Sequence, residues 1–307
     1  MTRRTTWGLK RAVAQGDDAV IVGGGHADRP RVSAAAATWL LLLPALALLA
    51  GCFLLPLAEL IGLSFSSPAG RLAPYAELLG SEVYRKVFLN TIGFAVVVTA
   101  VVLALAFPLA LALTRVGHGL RAVLFAAVLL PLWISVLVRT FAWMLLLEDH
   151  GPINRLLIGA GLIGHPLALL FNHWGVLIGM VHVLLPYAVL PIYAALVRID
   201  PALLRASEGL GASRFTTFRR VLLPQAQSGV ATGASFVFLL SLGFFITPAL
   251  LGGARDITLA MLIDSFVEEQ LVWPLAGAAS VVLLMATLAV LALAGRALAP
   301  ARLTGPV

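Results

Sequence analysis

Long apolar runs constrain the fold of this chain more than any other feature of its sequence. A segment in lipid must satisfy its own backbone hydrogen bonds, so it forms either an α-helix or part of a closed barrel. These runs are uniformly apolar and lack the alternation of barrel strands. Each is long enough to cross ~30 Å of hydrocarbon at ~1.5 Å per residue. We therefore predict an all-α, polytopic membrane protein with six transmembrane helices, at Ala34–Leu63, Leu89–Leu113, Val123–Leu147, Val176–Val197, Gly229–Leu251 and Pro274–Leu293.

The composition agrees with a membrane protein and excludes a soluble enzyme. Of 307 residues, 61% are hydrophobic and 11% are charged, which leaves too little polar surface to cover a soluble globule of this size. The single cysteine, Cys52, lies inside an apolar run. A disulfide framework or a cysteine metal site therefore cannot form, and we expect no metal and no cofactor.

The basic residues indicate topology rather than nucleic acid. Lys and Arg number 21 against 14 Asp and Glu, for a net charge of +7, but they form no basic face interleaved with aromatic side chains. With the N-terminus inside, 15 of the 21 fall on the inner side, as the positive-inside rule requires. We expect both termini to be cytosolic. The first apolar run is too long for a signal peptide, so we expect no cleavage.

The runs divide the chain into a mobile cytosolic tail (1–33), a transmembrane domain (34–296) and a second cytosolic tail (297–307). Within the first tail, Val20–Ala27 resembles the start of a dinucleotide-binding loop. Asp28 stands where the third glycine belongs, Pro30 follows it, and no βαβ unit fits before the first span. We therefore interpret this stretch as part of the tail.

A cytosolic loop, residues 198–228, joins the fourth and fifth predicted spans and is longer than a simple connection needs. Asp200-Pro201 is typical of a helix start, with a capping side chain before a proline in the first turn. Gly209 and Gly211 predict a turn after this helix. Ser213 is suited to cap a second helix.

That second helix should end at Pro224, which cannot continue it. It has an apolar face and a basic face, a pattern that suits either a groove on a partner protein or the anionic inner leaflet. The apolar face contains Phe215, Phe218, Val221 and Leu222, and the basic face contains Arg214, Arg219 and Arg220.

The loop also carries a motif. Arg205-Ala206-Ser207 is followed after three residues by Gly211, after nine more by Val221, and after one more by Leu223-Pro224. This spacing resembles the conserved cytosolic loop of ABC importer permeases, written E-A-A, three residues, G, nine residues, I, one residue, L-P. Arg205 replaces the family's Glu and reverses its charge, so we expect it to pair with an acidic group on the ATPase.

Further segments resemble the spermidine/putrescine branch of this family, and its first, B-type permease subunit. They are residues 130–143, 184–193 and 246–253. The resemblance implies a type I ABC importer permease fold in the bacterial inner membrane and import of a small solute, with a polyamine favoured. An amino-acid-like solute, an opine or a phosphonate is the alternative cargo.

The same resemblance implies the partners: an ABC ATPase dimer, a second homologous permease and an extracytoplasmic solute-binding protein. The chain has no phosphate-cradling loop of its own, so it is not expected to be an enzyme or to hydrolyse ATP. The residues expected to couple it to the ATPase are Arg205, Ala206, Ser207, Gly209, Gly211, Phe215, Phe218, Val221, Leu223 and Pro224.

Charged and aromatic residues in the spans are the candidates for a solute path. Arg139 lies in the third span, where a charge is costly and marks a functional position unless it is paired, with Asp264 or Glu148 as candidate partners. Aromatic faces and a carboxylate would bind ammonium groups. The candidate path residues are Arg139, Trp143, Tyr187, Phe245 and Asp264, with Trp133, Tyr193 and Phe244 also considered.

Two rival functions rest on single residues. An ion-coupled transporter would use His182, the only other titratable group at mid-span, although a relay normally needs several such groups. An intramembrane serine protease would use Ser235 with His182 as its base. For both residues the packing role is the favoured interpretation, because small residues beside Ser235 are what helix contacts in lipid select.

The segment Asp256–Val272 carries Asp264, Glu268 and Glu269 among apolar residues. This pattern predicts a short amphipathic helix, either at the outer membrane surface or lining a vestibule.

Overall fold

The computed structural model describes residues 34–298, and all regular elements in this range are helices. This confirms the all-α prediction for the described part. The predicted tail 1–33, with its glycine-rich stretch, lies outside the described residues, as do residues 299–307 of the second predicted tail. The last helix continues to Leu298, two residues beyond the predicted end of the transmembrane domain at residue 296.

The chain divides into two units at Leu54. In the first unit, helix α1 (Ala34–Leu49) contains Pro44 and leads into a π-helical turn, Ala50–Leu54. Pro44 lacks the amide that would bond to the Leu40 carbonyl oxygen, a loss that lipid-embedded helices tolerate.

The second unit contains the remaining described helices and a second π-helical turn, Phe218–Leu222. The helices are α2 (Leu55–Leu63), α3 (Ala73–Gly80), α4 (Glu82–Arg115), α5 (His118–Trp133), α6 (Val136–Leu147), α7 (Pro152–Gly159), α8 (His173–Val197), α9 (Pro201–Gly209), α10 (Arg214–Thr217), α11 (Leu223–Gln225), α12 (Gln227–Leu242), α13 (Ile246–Leu251), α14 (Leu259–Glu268) and α15 (Trp273–Leu298).

Helices α4, α8 and α12 pack against one another and form the centre of the unit. Small residues allow the closest approach, because lipid supplies no hydrophobic force to press helices together and packing must do so. Gly229 and Gly233, one turn apart on α12, face α8. A Cβ at Gly229 would lie 2.5 Å from the Cβ of Ala195, and one at Gly233 would lie 3.2 Å from the Cα of Ala188.

Polar side chains in this core satisfy backbone groups and join elements. The Thr91 hydroxyl donates to the Val87 carbonyl oxygen at 2.8 Å and accepts from the Leu259 amide at 2.8 Å. The Asn90 amide donates to the Ile257 carbonyl oxygen at 2.9 Å. These bonds attach the start of α14 to α4. The amphipathic helix predicted within Asp256–Val272 is confirmed as α14.

A buried carboxylate holds the loop before α14. Asp256 accepts a hydrogen bond from the Gly253 amide at 2.9 Å, and His173 Nδ1 lies 3.4 Å from its other oxygen. His173, the first residue of α8, stacks on Phe94 of α4 with ring centroids 4.3 Å apart. The loop, α8 and α4 therefore meet at one end of the bundle.

The predicted spans agree only in part with the structure. In residues 34–298, four helices are long and apolar enough to cross a membrane, or five if the bent pair His118–Trp133 and Val136–Gly159 is one span. The predictions of continuous helices at Val123–Leu147 and Gly229–Leu251 are wrong. The first is bent by 107° between α5 and α6, and the second is interrupted between α12 and α13.

Replacing Gly229 with Ala should destabilise the protein, because the new methyl group overlaps Ala195. Overpacking of this kind costs about 1–3 kcal/mol. Gly93 on α4 is the matched control, since its Cβ would meet nothing within 4 Å, and Gly93→Ala should leave stability unchanged or raise it slightly. Thermal unfolding of the full chain measures both. Equal melting temperatures for the two variants would show that the α8–α12 contact does not depend on Gly229.

Candidate solute path and coupling loop

Both helix breaks open onto one cavity, of about 360 Å³. One wall comes from the start of α6, one from the end of α12 through the start of α13, and the third from α8. The lining residues are Val136, Arg139, Val183, Leu184, Tyr187, Leu240, Gly243, Phe244, Phe245 and Ile246. We call this the broken-helix cavity.

At each break the preceding helix ends in a tightened turn. Pro131 lies near the end of α5, and the Ile134 amide then bonds to the Pro131 carbonyl oxygen at 3.3 Å, three residues back, as the helix ends. α12 ends before Gly243, and the Phe244 amide bonds to Ser241 at 3.3 Å. Irregular backbone is tolerated at membrane depth only where protein buries it or it lines a cavity that admits water. Two such breaks on one cavity are typical of a transport site.

Arg139 carries the positive charge of the broken-helix cavity. Its Nε and Nη1 atoms are buried and have no hydrogen-bond partner within residues 34–298. The predicted pairing with Glu148 or Asp264 is not formed, since the ion pairs of this described range include neither. Glu148 caps the far end of α6, nine residues or ~13 Å along the helix. Asp264 lies on α14, which packs against α15 and α4.

Trp143 of α6, one turn beyond Arg139, contacts His182 of α8. The Trp143 indole N–H donates to His182 Nδ1 at 3.0 Å, and the two rings meet edge to face. The Ser235 hydroxyl donates to the Ala231 carbonyl oxygen of its own helix at 2.8 Å. Ser235 and His182 therefore bond to different partners and not to each other. This arrangement agrees with a packing role for each residue.

The structure brings together three of the five predicted path residues. Arg139, Tyr187 and Phe245 line the broken-helix cavity, as does Phe244. Trp143 belongs to the adjoining hydrophobic core, and Asp264 is exposed on α14. The apolar lining residues were missed because nothing distinguishes them in an apolar chain. Pro131 and Gly243 lie beside the two breaks, so these residues could have indicated the breaks from the sequence.

A buried hydroxyl pair that the sequence did not reveal holds the two broken segments together. Thr140 and Thr247 lie 3.2 Å apart between their Oγ1 atoms, joining α6 to α13. Thr140 also donates to the Val136 carbonyl oxygen at 2.8 Å. The α6 wall of the cavity is therefore fixed to α13 by a hydrogen bond as well as by packing.

The loop between α8 and α12 folds as two short helices, as predicted. Asp200 caps α9 by accepting from the Ala202 amide at 2.8 Å, and Ser213 caps α10 by accepting from the Thr216 amide at 3.2 Å. Gly211 has a φ of +81°, in the left-handed region that favours glycine. Gly209 is the last residue of α9, so the turn depends on Gly211 alone.

The end of the second loop helix differs from the prediction. Pro224 was expected to stop it, but the chain stays helical through Gln225. The π-helical turn Phe218–Leu222 comes immediately before, and the Leu223 amide bonds five residues back to Phe218. Pro224 falls in the first turn of α11, where its missing amide leaves no hydrogen bond unmade.

The two loop helices contact each other and the bundle. The Ser207 and Thr217 hydroxyls lie 3.0 Å apart and join α9 to the end of α10. Phe218 packs edge to face on Phe107 of α4, with centroids 5.6 Å apart. Phe218 was predicted to lie on the docking face with Phe215 and Val221, but it contacts the protein's own bundle.

The outward surface of the loop is apolar and basic. Phe215 is 70% exposed and Leu210, which the sequence did not single out, is 89% exposed. Leu223 is exposed to a lesser degree, and Val221 is partly buried. Arg205 and Ala206 are exposed too, and Arg205 forms no ion pair within the described range. Its pairing with an acidic group on another protein stays a prediction.

Residues 67–303 match the family model of the binding-protein-dependent transport system inner membrane component. The match covers more than half of the chain. The chain belongs to this family. It is thus a permease subunit of an ABC importer, a multi-pass membrane protein and a transport component rather than an enzyme.

Named relatives and solved structures agree with this family. The spermidine/putrescine transport system permease protein PotB of Escherichia coli (strain K12) is 32% identical over 224 residues, 72% of this chain and 80% of PotB. The inner membrane ABC transporter permease protein YdcU of the same organism is 39% identical over 180 residues, 54% of this chain and 57% of YdcU.

Two solved structures show the fold. A chain of the bacterial alginate ABC transporter, crystallised with its alginate-bound periplasmic protein, superposes with a TM-score of 0.71 at 20% identity, covering 88% of this chain and 96% of that one. A chain of the MetNI methionine ABC transporter gives 0.53 at 18% identity, covering 71% and 97%. The all-helical fold is therefore that of ABC importer permeases.

A substitution at Gly211 tests whether the loop requires a left-handed turn at this residue. Gly211→Ala should destabilise the loop by about 1–2 kcal/mol, because a side chain in the left-handed region meets the following carbonyl oxygen. Gly209→Ala is the control, since this residue is helical and its Cβ would meet nothing within 4 Å. Limited proteolysis of the full chain between α9 and α10 measures the effect. Equal cleavage rates in the two variants would contradict the required left-handed turn.

Proposed function

We propose that this permease forms the membrane pathway of an ATP-driven importer for a polyamine of the spermidine/putrescine class, in the bacterial inner membrane. The observation that carries the proposal is the broken-helix cavity, whose walls include the aromatic rings of Tyr187, Phe244 and Phe245. Aromatic faces attract ammonium groups by cation–π interaction. The similarity to PotB over most of the chain supports the same cargo class.

In this proposal the chain crosses the membrane six times with both termini in the cytosol. The bent pair α5–α6 is the third crossing, and α12 with α13 is the fifth. α12 has 16 residues, fewer than the ~20 a crossing needs, so α13 completes it. The charge distribution supports the orientation, since 15 of the 21 basic residues fall on the inner side.

The partners would be a second permease, an ATPase dimer and an extracytoplasmic binding protein. The family is defined by transport that depends on a binding protein, and the alginate transporter structure contains a periplasmic protein. Because this chain has no phosphate-binding loop, ATP hydrolysis belongs to a partner. The exposed apolar side chains of Leu210 and Phe215 are suited to a groove on that ATPase.

Transport would proceed by alternating access, with the loop as a rigid lever. Ser207 and Thr217 join the two loop helices, so a push on one moves both. Phe218 then passes the movement to Phe107 of α4. α4 packs on α8 and α12, whose residues line the broken-helix cavity. Small displacements at such a packed interface produce discrete rearrangements rather than continuous bending.

The positive charge of Arg139 supports a second candidate cargo, a solute that carries an anionic group. Its unpaired guanidinium lines the cavity, and guanidinium binds carboxylate or phosphonate through paired hydrogen bonds. An amino-acid-like solute, an opine or a phosphonate has such a group. A polycation would instead meet a like charge, unless another subunit neutralises it.

Uptake in cells lacking this gene tests the cargo. We expect labelled putrescine and spermidine to accumulate only when the chain is restored together with its ATPase and binding protein. A protonophore applied at constant ATP should leave this uptake intact. If the assembled complex imports an amino acid or phosphonate and no polyamine, the polyamine proposal is wrong and the Arg139 interpretation gains support. Uptake abolished by the protonophore would instead indicate ion coupling.

If the loop acts as a lever, substitutions of two of its aromatic residues should have different effects. Phe218→Ala should leave ATPase capture intact but reduce uptake by about tenfold or more, because the aromatic contact that passes the movement to Phe107 is lost. Phe215→Ala, with an exposed ring, should instead weaken capture of the ATPase. Co-purification and cellular uptake measure the two steps. Normal uptake by the Phe218 variant would show that this contact does not transmit the movement.

A further inference from the structure

A second cavity lies between the loop and the adjoining helix ends, and it shares no lining residue with the broken-helix cavity. Its volume is about 330 Å³. The walls come from the end of α4, the start of α5, the end of α8 and the start of α9. Its lining includes Leu111, Arg115, Arg121, Tyr193, Leu196 and Leu204. We call it the basic cavity.

Two arginines give the basic cavity its charge. Arg115 is the last residue of α4, and Arg121 lies in the first turn of α5. Arg121 Nη2 donates to the Val116 carbonyl oxygen at 3.0 Å, which fixes the guanidinium at the wall. Its Nε is buried and has no hydrogen-bond partner in the part of the chain described. That atom is enclosed by protein, so the donors left for a ligand in the cavity are Arg121 Nη1 and the Arg115 guanidinium.

No carboxylate neutralises these arginines. Within residues 34–298, neither Arg115 nor Arg121 has a carboxylate oxygen within 4.0 Å. An adjoining cavity of about 630 Å³ contains Glu208, but Arg115 and Arg214 also line it, so positive charge remains in excess. Two guanidinium groups provide the forked donors that match the oxygens of a phosphate group.

We infer that the basic cavity binds a phosphate group, either of an anionic phospholipid or of a soluble phosphate. The neighbouring leucine side chains favour the lipid, because they suit the apolar part of an amphiphile. Basic pockets between helices at the cytoplasmic membrane surface typically bind anionic headgroups. A phosphate held there would connect α4 and α5 to α9, so its binding should stabilise the loop against the bundle.

Lipid binding to the full chain tests the inference. Native mass spectrometry and thermal unfolding should be measured in nanodiscs of phosphatidylcholine, with and without phosphatidylglycerol, and separately with added inorganic phosphate. The test variant is Arg115→Gln with Arg121→Gln. The matched control is Arg71→Gln with Arg155→Gln, which removes the same charge from exposed residues that line neither cavity.

We expect the wild-type chain to bind phosphatidylglycerol and to unfold at a higher temperature in its presence. The test variant should bind it at least about tenfold more weakly, because hydrogen bonds to charged groups are lost. The control should retain binding. Stabilisation by inorganic phosphate alone, lost in the test variant, would identify a soluble ligand at the same site.

Two results would overturn the inference. One is equal binding of both phosphate sources by the wild-type chain and the test variant. The other is an equal loss in the control, which would indicate a general charge effect. Because the wild-type measurements do not depend on folding of a variant, a wild-type chain indifferent to both phosphatidylglycerol and phosphate would also refute the site.

Discussion

The need to satisfy every backbone hydrogen bond in lipid is the constraint on which this structure depends. It makes the apolar runs helical. For the same reason, threonine and serine hydroxyls in the bundle find partners away from water by donating to carbonyl oxygens of their own helices. The same constraint makes interruptions of the helices informative. Where α5 gives way to α6 and α12 to α13, the ladder is interrupted and a cavity adjoins both breaks. The site therefore lies where the regular structure stops.

The central trio of α4, α8 and α12 connects this site to the loop. α8 supplies Tyr187 to the broken-helix cavity, and its other end leads directly into α9. α4 receives Phe218 of the loop through Phe107. The glycines of α12 bring it close against α8, so the three helices form one packed group. Such packing provides a physical route for coupling without any residue that contacts both a partner and the solute.

Unpaired arginines mark both cavities, but their settings differ. Arg139 lies on α6, beside two helix breaks and three aromatic rings. Arg121 lies at a helix start near the loop, among leucines. A guanidinium without a carboxylate is expensive to bury, so each position indicates an acceptor from outside the chain. The proposals above assign a transported solute to the first cavity and a phosphate group to the second.

The sequence by itself determined the all-helical membrane class, the two loop helices with their Asp200 and Ser213 caps, and the family, because these depend on composition and on spacing within a few residues. It located Arg139, Tyr187 and Phe245 but also chose Asp264, which the fold places elsewhere. Only the tertiary structure decided that two predicted spans are broken and that Phe218 faces inward. It also revealed the Thr140–Thr247 contact between residues 107 apart in sequence. Such features depend on which helix faces lie side by side, and local hydrophobicity carries no information about that.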